Sequence, residues 1–262
     1  DGNPERLRVD TDGLAGTLPL DVAAGTTLAG LVGPLDYGSR AYTLLPEKAP
    51  VPSGGAAARA VPVPRPGEST IGFLNLERFF DDAPSGVGPT LTPDAWETRL
   101  RKASLVVRAL LRSPDVLALA EVESLSVLEA LASRVRADAV AAGEADPGYT
   151  AYLEEGNDAS GIDVGFLVAS SVRVVSVVQE GKAATYVDPT TGSSATLNDR
   201  PPLVLSASAP APGGGERPFT VVVNHLRSLT DVEADSPAGR RVRAKRQAQA
   251  EYLAGLLSRL QA

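Results

Sequence analysis

Residues 71–77 read as a short strand, whose period of two puts Ile71, Phe73, Asn75 and Glu77 on one face, with the polar groups at its end, and Gly72, Leu74 and Leu76 on the other. Thr92-Pro93-Asp94 then reads as a helix start, a capping hydroxyl followed by proline at the first helical position, and Trp96, Leu100, Ala103, Val107 and Leu110 recur at helical spacing behind it. The run from Asp115 to Ala120 is apolar after its first residue, which suits a strand covered on both faces, and it ends at Glu121. Ser126 with Glu129 predicts a capping box for the next helix. Further strands are predicted at Tyr149–Leu153, Ile162–Val168, Val172–Val178, Leu203–Ser206 and Phe219–Asn224. A final helix from about Ala238 to Leu260 carries Leu253, Leu256, Leu257 and Leu260 on one side and Arg240, Arg241, Arg243, Lys245 and Arg246 in its first turns. Successive strands between Val172 and Asn224, with helices interspersed elsewhere, predict a mixed α/β architecture with two stacked sheets rather than a doubly wound parallel sheet.

Upstream the pattern differs. Residues 1–46 are rich in Gly, Asp and Thr, with short apolar runs at Thr27–Val32 and Arg40–Leu45 and turn signals such as Gly33-Pro34, and read as a small β module. Residues 47–67 hold a series of prolines and the Ser53-Gly54-Gly55 insert, a composition suited to an extended linker. The expected organisation is a β module (1–46), a linker (47–67) and a mixed α/β domain (68–262).

Composition narrows the chemistry. With 262 residues, 43% hydrophobic and 22% charged, the chain can bury a substantial core. No run approaches the roughly 20 apolar residues of a membrane-spanning helix. The absence of cysteine removes disulfide frameworks, zinc–cysteine sites and thiol nucleophiles together. A net charge of −7 excludes a uniformly basic nucleic-acid coat while leaving room for a local basic groove, for which the arginines of the final helix are a candidate beside their reading as a solvated face. The sequence begins at Asp1 and has no methionine, which reads as a processed or truncated chain. It holds a single histidine, His225.

Three predicted strand ends carry polar residues: Asn75 and Glu77, Glu121 and Glu123, and Asn224 with His225. If their strands are neighbours, Glu77 and Glu121 offer hard oxygen ligands to magnesium or manganese, with Asn75 orienting water or a phosphate oxygen; taken singly, each is equally a solvated strand terminus. His225 surfaces from the apolar Val221-Val222-Val223 run and leads into Leu226-Arg227-Ser228, a setting for binding phosphate through imidazolium and guanidinium, or for a structural histidine. Asp163 is placed to orient the ring, or to serve as a turn residue.

These motifs, in this order, resemble the endonuclease/exonuclease/phosphatase superfamily, which includes deoxyribonuclease I. Ile71 to Asp81 (IGFLNLERFFD) is similar to the first catalytic strand, Pro114 to Glu123 (PDVLALAEVE) to the second, Gly161 to Val168 (GIDVGFLV) and Asn198 to Leu203 (NDRPPL) to the next, and Phe219 to Ser228 (FTVVVNHLRS) to the histidine strand. Leu31 to Pro46 is similar to the end of the OB-like module of large secreted bacterial nucleases. The resemblance implies an α+β fold, a four-layer α/β sandwich of two stacked mixed β-sheets flanked by helices, incomplete here and preceded by the OB-like piece. It implies Glu121 and Glu77 as ligands of Mg²⁺ (or Mn²⁺ or Ca²⁺), and Asn75, His225 and Asp163 as catalytic residues, the last supporting the histidine. Arg200, Arg227 and Asn224 become substrate-binding groups, and hydrolysis of DNA, or of RNA, by a secreted or surface bacterial enzyme the implied activity. The family's Gly-Asp-Phe-Asn segment and its closing Asp-His pair are absent, so the chain reads as cut at both ends, inactive alone and in need of a companion fragment. The alternatives are a non-catalytic module retaining the scaffold and a phospholipid or sugar-phosphate phosphodiesterase. Two structural expectations follow: Asn75, Glu77, Glu121 and His225 meet at one edge of the stacked sheets, and part of the sheet packing is left unfilled.

Overall fold

The computed structural model describes residues 7–11, 13–14, 22–38, 41–56 and 58–262, which fall into two compact units, Asp1–Arg59 and Ala60–Ala262. In the first unit, β1 (Leu7–Val9), β2 (Thr26–Ala29), β3 (Leu35–Gly38), β4 (Ala41–Leu44) and β5 (Val51–Gly54) form two small sheets, ordered β1-β4-β3 and β2-β5. The β character agrees with the sequence pattern; Arg40, which opens one predicted run, lies outside the described residues, as do residues 1–6 and 15–21. The proline-rich stretch is not extended linker throughout. Val51–Gly54 pairs with β2, and Pro52 is tolerated because in a two-stranded ribbon every strand has a free edge.

In the second unit the order is β6 (Ile71–Phe79), α1 (Pro93–Leu105) running on into a π-helical turn at Val106–Leu110, β7 (Val116–Val122), α2 (Leu125–Ala141), β8 (Thr150–Leu153), β9 (Asp163–Val168), β10 (Arg173–Gln179), β11 (Thr185–Val187), β12 (Ser194–Thr196), β13 (Leu203–Pro210), β14 (Glu216–Val223) and α3 (Pro237–Leu260). Thr92 caps α1 as expected, its Oγ1 accepting from the Ala95 amide at 3.3 Å. For α2 the cap is Ser124, which accepts from the Val127 amide, rather than the predicted Ser126; the two hydroxyls bond each other at 2.9 Å.

One mixed sheet has the order β6-β7-β9-β8 with only β6 and β7 parallel, and a second, antiparallel sheet has the order β10-β13-β14. On one face of the first sheet Leu117, Leu119, Val122 and Leu167 pack with Leu100, Val107, Leu128, Leu131 and Val135 of the helical layer. On the other face Val116, Ala118, Ala120, Val164, Phe166 and Val168 meet Leu203, Leu205, Ala207 and Val223 of the second sheet. Each fully buried large side chain contributes about 1.5–3 kcal/mol, so these two layers account for most of the cohesion. The fold is thus the expected mixed α+β sandwich of stacked sheets. Helix α3 is anchored to the segment between β10 and β13, through Gln249 donating to the Leu197 carbonyl at 2.9 Å and Lys245 paired with Asp199 at 2.6 Å.

The packing between the sheets is unfilled at one side. β6 and β14 are both edge strands, and the register places Ile71 and Phe73 beside Val116 and Ala118, on the face that elsewhere is covered by the second sheet. They are nevertheless 58% and 57% exposed.

Candidate active site

The two parallel strands of the first sheet end in paired irregularities. Asn75 pairs with Ala120 and the next pairing is Phe79 with Val122, so residues 76–78 stand opposite Glu121 alone. Glu77, Arg78 and Glu121 all have left-handed backbone, with φ of 53°, 56° and 62°. Such conformations cost about 1–3 kcal/mol each in non-glycine residues and persist only where the surroundings impose them. The bulge at Glu121 has a steric purpose. In an unbroken strand Glu121 would follow Leu117 and Leu119 into the helical layer; instead Val122 takes that place and the Glu121 carboxylate turns to the inter-sheet side, where Asn75 lies.

There the contacts converge. Asn75 Nδ2 donates to Glu121 Oε1 at 3.0 Å, and the Arg78 amide donates to Glu121 Oε2 at 3.0 Å. The Glu77 amide donates to Asn75 Oδ1 at 2.8 Å, which fixes the orientation of the Asn75 amide. From the second sheet, just past β14, His225 Nε2 approaches Glu121 Oε1 to 3.6 Å. Burial, then the neighbouring Arg200 guanidinium, holds His225 below its ordinary pKa, against the opposing charges of Glu121 and Asp158. The ring is therefore neutral at pH 7 and offers one N–H, not the two of an imidazolium; its Nδ1 is buried without a hydrogen-bond partner.

Asn75, Glu121 and His225 thus meet at one edge of the stacked sheets, as expected of them. Glu77 joins only through its backbone. Its side chain is exposed, because the left-handed turn breaks the alternation that had placed it on the face of Asn75. Glu123 is a structural tie, its Oε2 accepting from the Asp81 amide at 3.0 Å.

Arg200 is 7% exposed and all of its nitrogens are engaged internally: Nη1 with Asp158, Nε with the His225 carbonyl at 3.4 Å and Nη2 with the Leu226 carbonyl at 2.9 Å. It holds the backbone that carries His225, using three of its five N–H donors. Burial raises the Asp158 pKa, but bonds from Ser160 and the charge of Arg200 outweigh that effect and hold it below the ordinary carboxylate range. Asp163 does not support the histidine, since its Oδ1 and His225 Nδ1 are both buried and unpartnered. Burial, followed by the charges of Glu155 and Asp158, pushes the Asp163 carboxyl up to about 7. Arg227 turns away to Asp199, 3.8 Å from Nη1, and its amide donates to Gln249; Asn224, half-buried, precedes His225 in the chain.

In the basic cluster of α3, Arg241 pairs with Asp188, Lys245 with Asp199, and Arg243 and Arg246 donate to the carbonyls of Val232 and Arg227, while Arg240 is exposed. Two residues that matter here, Asp158 and Arg99, carry no signal in the sequence pattern. The second of these donates from α1 to the carbonyls of Leu76, Glu77 and Arg78.

Among the described residues no group of three or more His, Asp or Glu side chains forms a metal cage. A carboxylate has about four lone-pair sites, and the hydrogen bonds to Glu121 leave some of them open. That donor set fits a divalent ion such as Mg²⁺ or Mn²⁺, which is held by one or two carboxylates together with water and substrate oxygens.

No protein-family model and no curated protein sequence matches the chain. Among solved structures it is similar to TDP2 from Caenorhabditis elegans, with 19% identity and a TM-score of 0.32 over 54% of this chain and 33% of that one. A truncated form of the same protein gives 17% identity and a TM-score of 0.29 over 52% of this chain and 41% of the other. The chain spans less than half the length of these structures.

Proposed function

We propose that residues 60–262 form the metal- and phosphate-binding part of a metal-dependent phosphodiesterase acting on nucleic acid, DNA in the first place. One observation carries the reading: a carboxylate and a neutral imidazole from two different sheets meet at 3.6 Å, on backbone held in left-handed conformations, with an amide side chain oriented beside them. A bound Mg²⁺ or Mn²⁺ supplies Lewis-acid polarisation and charge neutralisation at the phosphate. Glu121 holds the ion, Asn75 and the Arg78 amide keep that carboxylate aimed, and His225 donates its one N–H to a phosphate oxygen. The sequence has one histidine and no Gly-Asp-Phe-Asn segment, so the reading assigns water activation to a companion segment and leaves this chain alone nearly inert; the longer protein is a nuclease secreted by, or displayed on, a bacterial cell.

The test is Mn²⁺ binding, followed by the paramagnetic relaxation of solvent water, in the wild type, Glu121→Gln and His225→Ala. Glu121→Gln is expected to weaken binding by about tenfold or more, and His225→Ala to leave it within a small factor. In the longer protein both changes abolish Mg²⁺-dependent nicking of plasmid DNA. Equal Mn²⁺ affinity in the wild type and Glu121→Gln refutes the reading and leaves a non-catalytic module.

A further inference from the structure

We propose that Arg99, on α1, is a positioning residue for the site: it selects the left-handed turn at Glu77–Arg78 and through it aims Glu121. Arg99 touches neither Glu121 nor His225. Its Nη1 donates to the Arg78 carbonyl at 2.8 Å, and its Nη2 to the Glu77 carbonyl at 2.7 Å and the Leu76 carbonyl at 3.1 Å, while its Cζ lies 5.4 Å from the centre of the Phe79 ring.

Successive carbonyls of an extended strand point in opposite directions, so one guanidinium cannot reach three in a row there. The left-handed turn curls the three oxygens around one point. Arg99 therefore binds the curled form and not the extended one, and a group with that preference shifts the equilibrium between them. The curled form is also the one that delivers two amides to the site: Arg78 N–H to Glu121 Oε2 at 3.0 Å, and Glu77 N–H to Asn75 Oδ1 at 2.8 Å. Asn75 passes the constraint on, donating to the other oxygen of Glu121. The planar fork is what the task requires, since a lysine ammonium is a compact point charge on a flexible stem. The helix supplies a rigid mount, with Thr92 capping it and neighbouring Leu100 and Ala103 buried in the helical layer.

The positioning role is independent of the reading of Glu121 as a metal ligand; only its consequence for metal binding rests on that reading. The experiment follows the Arg78 amide by ¹⁵N-resolved NMR and hydrogen exchange, and Mn²⁺ affinity in parallel, in the wild type, Arg99→Lys, Arg99→Ala and Glu121→Gln. In both Arg99 variants the Arg78 amide is expected to lose its downfield, carboxylate-bonded position and to exchange faster, while the Leu117 and Leu119 amides of β7 keep their protection. Adding Glu121→Gln to Arg99→Lys then moves the Arg78 amide no further, and Mn²⁺ binding weakens by about 10–100-fold in the Arg99 variants. An unchanged Arg78 amide in Arg99→Lys overturns the proposal. So does loss of protection throughout β7 in that variant, which would make Arg99 a residue of the fold. Displacement of the Arg78 amide with unchanged Mn²⁺ affinity in every variant, Glu121→Gln included, upholds the positioning role and refutes the metal reading.

Discussion

Asp163→Asn isolates the energetic cost of one buried carboxyl. Asp163 is 4% exposed, its Oδ1 has no partner, and the site is so closely packed that a Cβ at Gly156 would run into the carboxyl. Raising the group from an ordinary 3.8 to about 7 makes its ionised form roughly 4 kcal/mol less favourable in the folded state than in the unfolded chain. Below the unfolded value both states hold the proton and no penalty exists. As pH rises the unfolded chain releases its proton first, and the advantage of the neutral folded carboxyl drains away until the folded group ionises near 7. The wild type is therefore expected to lose roughly 4 kcal/mol relative to Asp163→Asn between about pH 3.5 and pH 8, because asparagine keeps the shape and cannot ionise. Any change in hydrogen bonding made by the new amide adds an offset that does not vary with pH. Urea unfolding of the two proteins across that range measures the difference directly. Parallel stability curves would refute the reasoning and place the Asp163 pKa near that of an ordinary aspartate. Glu155→Gln, by removing a charge that raises Asp163, should shift the pH at which the loss is complete to lower values.

Arg200→Ala strips Asp158 of its partner and the His225 and Leu226 carbonyls of their donor, and is expected to cost about 3–5 kcal/mol in urea unfolding, with Arg200→Ala/Asp158→Asn costing less than the sum of the single changes. Phe73→Glu should alter stability by no more than about 0.5 kcal/mol and lower self-association in sedimentation, since Phe73 is 57% exposed, whereas Phe166→Ala on the covered part of the same face should cost about 3–5 kcal/mol.

What was legible in the sequence was whatever depends on period and run length. The short run from Ile71 to Leu76, the apolar run before Glu121 and the run before His225 located three strands and their ends, and Asn75, Glu121 and His225 from those ends meet. The left-handed turn was not legible, because Glu and Arg have no preference for that conformation and no Gly or Asn marks the bulge. Beyond Asn75 the period of two therefore misplaced Glu77. The contacts of Arg200 were hidden for a different reason: a guanidinium serves phosphate and backbone carbonyl alike, and only the fold shows that the His225–Leu226 segment passes beside it. Asp158, its partner, sits in the sequence Asn157-Asp158-Ala159-Ser160-Gly161, which reads as an ordinary turn, and its bonds to Ser160 are indeed those of a turn.

The same pattern governs what a phosphate would meet at this site. Arg99 directs its donors at backbone carbonyls, and Arg200 divides its own between backbone carbonyls and the Asp158 carboxylate. Arg246 donates to a backbone carbonyl as well, Arg227 faces Asp199, and the chain as a whole carries a net charge of −7. Around Glu121 itself, the Asn75 amide and the Arg78 peptide N–H are bonded to the carboxylate and the neutral His225 imidazole lies 3.6 Å from it. None of these neutralises charge. In a phosphodiesterase built this way the positive charge at the scissile group must come with the ion at Glu121, so substrate affinity is coupled to metal occupancy.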